Sequence, residues 1–145
     1  MTPREAYGVR YLRRLNLMKP TTGMWANLGL IIVQVEAGSA VVEGHVSNSA
    51  HGSSAESHTF VHRGVLATIG DCAMACAGAT MMSEGEAATT VDLTVQYLKP
   101  AVAGTIVARA EVRGRSGQMV FCHAIVEQAD EAVAECSGTI ALVPD

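Results

Sequence analysis

The sequence predicts an α+β domain in which an antiparallel sheet of about six strands wraps around one long central helix. Three observations carry this. An eighteen-residue run of apolar or small residues, Val65 to Met82, is rich in Ala, Met and Leu and free of Pro. Six β-branched or alternating segments are set apart by turn residues. The element order is helix, two strands, apolar helix, four strands, and one sheet curled around the apolar helix covers the helix and gains a buried face of its own.

The 145 residues fit a single domain, 1–145, long enough to bury a sizeable core. Residues 1–27 form an N-terminal helical segment. Within it Pro3 to Leu17 reads as an amphipathic helix, with Tyr7, Val9, Tyr11, Leu12, Leu15 and Leu17 on the apolar side and Arg4, Arg10, Arg13 and Arg14 on the wet one. Pro20 to Gly23 ends it. Gly29 to Glu36 and Ala40 to Ser47 read as a hairpin around Ala37-Gly38-Ser39, with Val42, Gly44 and Val46 alternating against Val41, Glu43 and His45. Asn48 to Thr59, rich in Ser, His and Gly, is the longest loop, and long loops in compact domains tend to carry function.

The central helix is placed at 65–82. A helix apolar on every side must be wrapped by other structure. Eighteen residues also touch the lower limit of a membrane span, but the Ala, Gly and Cys content is weakly hydrophobic, and an aspartate at mid-bilayer is expensive. Four strands follow, Ala88 to Leu98, Thr105 to Arg113, Gln118 to Gln128 and Ala132 to Val143, with turns at Lys99-Pro100, Gly114 to Gly117 and Ala129 to Glu131.

A net charge of -4 argues against a nucleic-acid-binding surface. The charge-interleaved N-terminus lacks the apolar stretch of a secretory signal, so a cytoplasmic protein without membrane association is expected. Cys72, Cys76, Cys122 and Cys136 include no CxxC pair; they read as reduced, small hydrophobes, with no metal site. His45, His51, His58 and His123 carry no metal or catalytic spacing and are read as loop or strand residues.

Asp71 is the only charge in the apolar run, and a carboxylate there needs a reason. The approach, Glu56-Ser57-His58-Thr59-Phe60-Val61-His62-Arg63-Gly64, delivers a loop to a helix N-terminus, where unpaired N–H groups and the positive dipole end suit an oxygen gaining negative charge. The N–H groups of Arg63 and Gly64 are the candidates. Asp71, two turns further along the same helix, is too distant to serve the same carbonyl, and a partner subunit would bring the two together.

These residues resemble the hotdog-fold acyl-CoA thioesterases, in particular the phenylacetyl-CoA thioesterase-like (PaaI-like) branch. That pattern is an Asn, His-Gly-Gly six residues later, an acidic residue nine beyond the His, then Ser or Thr before Val-Asp, and Tyr-Leu-Lys/Arg-Pro. Here those positions hold Glu56, His62-Arg63-Gly64, Asp71, Thr90-Val91-Asp92 and Tyr97-Leu98-Lys99-Pro100, within a likeness running from about Leu28 to Val143. The resemblance implies a hotdog fold and a homodimer or dimer of dimers (a homotetramer) with active sites at the subunit interface. It also implies hydrolysis of a small aromatic or short-to-medium-chain acyl-CoA, coenzyme A arriving as part of the substrate and no cofactor being needed.

By position, Asp71 would be nucleophile or general base. Arg63 N–H would polarise the carbonyl from across the interface, with Gly64 permitting close approach. His62 would shape the loop and Thr90 would orient the water or Asp71. Lys99, Arg113 and Arg115 would meet the phosphates of coenzyme A. Two positions depart from the pattern, Glu56 for Asn and Arg63 for Gly, and either Glu56 or Asp71 then stands as the catalytic base. The other readings are a hotdog dehydratase or hydratase of 3-hydroxyacyl thioesters, with His58 as its histidine, and a non-catalytic acyl-CoA-binding protein.

Overall fold

A computed structural model describes residues 5–54 and 60–145. In chain order the elements are α1 (Tyr7–Met18), α2 (Gly23–Asn27), β1 (Ile31–Glu36), β2 (Ser39–Val46), α3 (Asn48–His51), α4 (Arg63–Ala79), β3 (Glu86–Tyr97), β4 (Gly104–Ser116), β5 (Met119–Gln128) and β6 (Glu131–Pro144). The strands form one six-stranded sheet in the order β1-β2-β4-β5-β6-β3, every pairing antiparallel. Because β3 crosses to the far side of β6, the strand that follows the helix becomes a sheet edge.

α4 packs against all six strands. Leu66, Ile69, Ala73, Met74 and Ala77 are buried against Val42, Ile106, Val120, Val126, Ile140 and Leu142 of the sheet. The alternation read in β2 holds, with Ala40, Val42, Gly44 and Val46 buried. α4 spans 63–79 rather than 65–82, and side chains set both ends. His62 is the N-cap, its Nδ1 accepting the Gly64 N–H at 2.9 Å. At the other end the Thr80 hydroxyl donates to Ala77 O at 2.6 Å and accepts the Gly38 N–H at 2.8 Å, tying the helix end to the β1–β2 turn.

α1 lies across β1 and the C-terminal half of α4, burying Val9 and Leu12. Leu17, expected on its apolar side, is 80 % exposed, one residue beyond the Asn16 contact with β1. Asn16 there holds the β1 edge: its side-chain amide donates to Ile32 O at 3.0 Å while its Oδ1 accepts the Ile32 N–H at 2.9 Å. Two short helices follow α1. α2 lies inside the 1–27 segment, and α3 starts what the sequence presents as the long loop, with the Ser47 side chain accepting the Ala50 N–H.

Candidate active site

Asp71 lies two turns into α4, half-buried, on the face turned toward the beginning of β3. There the Thr90 hydroxyl donates to Asp71 Oδ1 at 2.7 Å. The register of β3 against β6 slips between Thr90 and Asp92, a bulge beside the site that sets the direction of Thr90. One carboxylate oxygen is thus fixed by a donor, and among the described residues none bonds the other. Thr90→Val, which keeps the shape and removes the donor, is expected to lower kcat by about ten- to a hundredfold in a steady-state assay with KM little changed. Unchanged kcat would deny Thr90 a positioning role.

Asp71 opens onto a cavity of about 300 Å³ enclosed by α1, α4, Trp25 of α2 and the start of β3. Cys72 also lines it. Burial, and then the adjacent Asp71 carboxylate, push the Cys72 thiol up to about 11, so it stays protonated at neutral pH and is a poor nucleophile. Cys76, Cys122 and Cys136 are raised likewise, chiefly by burial, to about 12, 11 and 11. All four thiols are free.

The helix entrance narrows one expectation. Gly64 N–H is already bonded to His62 Nδ1, and a Cβ on Gly64 would come within 2.9 Å of that nitrogen. Gly64 therefore serves the His62 cap, and Val65 N–H bonds His62 O at 2.9 Å. Arg63 N–H is left without an acceptor among the described residues, so of the two expected donors it is the one free to meet a substrate oxygen. The Arg63 guanidinium lies 5.8 Å from the centre of the Tyr97 ring. Eight positions apart along α4, Arg63 and Asp71 are separated by about 12 Å of rise.

His51, expected as an ordinary loop or strand residue, anchors this entrance. It is buried, its Nδ1 accepts the Ser47 N–H at 3.0 Å, and the opposite ring nitrogen lies 2.8 Å from Asn27 Oδ1. Its carbonyl accepts the His62 N–H at 2.7 Å. The Nδ1 bond places the ring proton on Nε2, donating to Asn27. Only the side-chain pairing to distant Asn27 marks this role, and no local spacing signals it.

Glu56 and His58 lie outside the described residues. None of the histidines lining or bonding elsewhere among the described residues borders the Asp71 cavity. His45 faces Glu43 and Thr105, and His123 bonds Glu135 at 2.7 Å. The three proposed phosphate contacts are not brought together within one chain. Lys99 pairs with Glu131 at 3.3 Å just beyond the end of β3, and Arg113 pairs with Glu111 at 3.1 Å on β4. Arg115 donates to Gly117 O at 2.8 Å near the β4–β5 turn. Through the register, Arg115 is level with Thr90 in the first half of β3, while Lys99 lies two residues beyond its last residue, roughly 30 Å away along the strand.

Comparison with known proteins identifies the family and the fold. A family model described as the thioesterase superfamily matches residues 58–135, the span holding His62, Asp71 and Thr90. Among solved structures, the PaaI protein of the phenylacetic acid degradation operon of E. coli is 24 % identical, with a TM-score of 0.78 over 97 % of this chain and 96 % of that one. A putative thioesterase from Ralstonia eutropha JMP134, described as phenylacetic acid degradation-related, is 23 % identical, with a TM-score of 0.79 over 93 % and 98 %. A thioesterase family protein from Silicibacter pomeroyi is 22 % identical, with a TM-score of 0.79 over 95 % and 99 %. At these identities the structures establish the shared hotdog fold. No curated protein sequence matches the chain.

Proposed function

The chain belongs to the thioesterase superfamily and is a thioester hydrolase; from that premise we propose that it hydrolyses acyl-CoA, with Asp71 as the reacting carboxylate. The observation that carries this reading is the Thr90–Asp71 hydrogen bond beside a cavity that Asp71 lines. A general base needs a fixed orientation and access to water, and Asp71 has both. Asp71 takes a proton from water, and the oxygen adds to the thioester carbonyl carbon. The carbonyl oxygen gains charge that an N–H at a helix N-terminus stabilises. The C–S bond then breaks and the proton passes to the departing thiolate, giving the acid and free coenzyme A.

The N–H is supplied by a second copy of the chain in this proposal. β3 is a twelve-residue strand with one unpaired edge, and Val91 and Leu98 on or beside it are 54 % and 51 % exposed. Pairing of β3 with itself about a two-fold axis would set the two α4 helices antiparallel. The N-terminus of one helix then approaches the middle of the other, Arg63 N–H of one subunit facing Asp71 of its partner. The four free thiols accord with a reducing, cytoplasmic setting. No helix among the described residues is long and apolar enough to cross a membrane.

A panel of acetyl-, hexanoyl-, phenylacetyl- and benzoyl-CoA, with released thiol read by a thiol-reactive dye, tests the activity. Turnover of at least one of the aromatic or medium-chain members supports the reading, and no release from any member overturns the acyl-CoA assignment.

A further inference from the structure

The lining of the cavity beside Asp71 combines apolar walls with acidic side chains. Tyr7, Tyr11 and Leu15 of α1, Trp25 of α2, and Ala75 and Cys76 of α4 give it an apolar, largely aromatic interior. Tyr7 and Tyr11 stack with ring centres 6.3 Å apart. Among the described residues, the charged ones lining it are Asp71, Glu86 and Asp145, all acidic, with no Lys, Arg or His beside them. Glu86 is kept in place by the Ser83 N–H at 2.8 Å, and the Asp145 N–H bonds Gly85 O at 2.9 Å. α1 is a fixed wall here, held to the β1 edge through Asn16 and to the core through Val9 and Leu12.

We infer that this cavity receives the acyl group of the substrate and selects acyl groups that carry no negative charge at their far end, with Glu86 and Asp145 as the specificity-determining residues. The inference rests on the hydrolase reading of Asp71, since the cavity opens from that residue. An acyl chain entering at Asp71 runs into aromatic and aliphatic surface that favours its burial. A chain ending in a carboxylate would lose water, meet like charge and find no cation to pair with among the described lining residues. Rejection by repulsion and an unpaired charge is a stronger filter than loss of a methylene contact. Neutral aromatic and aliphatic acyl groups are the class that fits.

The test compares two chains of equal length, hexanoyl-CoA and adipoyl-CoA, on the intact protein. Hexanoyl-CoA is expected to have the higher kcat/KM by about a hundredfold or more. In Glu86→Gln/Asp145→Asn the ratio is expected to fall at least tenfold, through faster adipoyl-CoA turnover. Binding of the non-hydrolysable thioethers S-hexyl-CoA and S-(5-carboxypentyl)-CoA to the wild-type protein, read by calorimetry, separates the two claims. No turnover of either ester, with the hexyl thioether still preferred, sinks the hydrolase reading and keeps the selective cavity. Equal binding of the two thioethers, or a substrate ratio unmoved by the double substitution, overturns the selectivity.

Discussion

Asp71→Asn protein is expected to hydrolyse acyl-CoA at least about a thousandfold more slowly than wild type while folding normally. The substitution isolates charge and basicity from shape. An asparagine side chain oxygen still accepts the Thr90 hydroxyl, so the bond now measured at 2.7 Å has a counterpart and the helix keeps its place against β3. The amide cannot take a proton from water, and it is no nucleophile toward a thioester. Cys72, the adjacent thiol on the same cavity, offers no substitute because it remains protonated near neutral pH. Single-turnover rates with hexanoyl-CoA, alongside a thermal melt, check both halves of the expectation. Retention of more than about a tenth of the wild-type rate would remove Asp71 from the chemistry.

The second large effect is on stability and concerns the residue before Asp71. Gly70→Ala ought to gain about 1 kcal/mol in helix propensity if the site were open. It is not open. A Cβ at Gly70 would stand 2.5 Å from Cys136 Sγ and 3.2 Å from Val126 Cγ2, inside the seam between α4 and strands β5 and β6. The helix must then lift or the strands must shift, so a net destabilisation of about 1–3 kcal/mol is expected. Removing the sulfur tests the cause. Cys136→Ala alone costs a small cavity, but in combination with Gly70→Ala it relieves the contact, and the pair should be more stable than the sum of the two changes predicts. Urea unfolding of the four proteins reads the coupling. Simple additivity would show that the close approach of Gly70 is not what limits this position.

The glycines also mark where reading the sequence reached its limit. In isolation Gly70 counts only against a helix; its purpose appears once β5 and β6 lie across it. Asp71 was legible for the opposite reason, being the only charge in eighteen residues that had to be wrapped. Strand positions emerged within a few residues because β-branched runs and Gly or Pro turns report locally. What failed to emerge depends on contacts distant in sequence. α2 and α3 are too short to show a period, and α4 begins at Arg63 because a histidine ring caps it, a geometry that the run from Val65 does not announce. His51 matters through Asn27, twenty-four residues earlier. The aromatic face of α1 was visible as an apolar stripe, but not as the wall of the Asp71 cavity. Lys99, Arg113 and Arg115 looked equivalent as cations following or ending strands, and the sheet order then set them at separate places.

The central claim is that one active site takes Asp71 from one subunit and the Arg63 N–H from the other. A mixing experiment between two inactive proteins addresses it. Asp71→Asn removes the carboxylate. Arg63→Pro removes the backbone N–H at the first position of α4, where proline is tolerated, and His62 before it already has φ -57° and ψ 129°, which proline accepts in its neighbour. Each protein alone is expected to be inactive. When equal amounts are dissociated and allowed to reassociate, half of the dimers combine one chain of each kind, and each such dimer holds one intact site and one doubly altered site. Recovery of about a quarter of the wild-type activity is the result this arrangement predicts. If subunits exchange and activity stays at the level of the parents, Asp71 and the Arg63 N–H do not meet across an interface, and the shared site is contradicted.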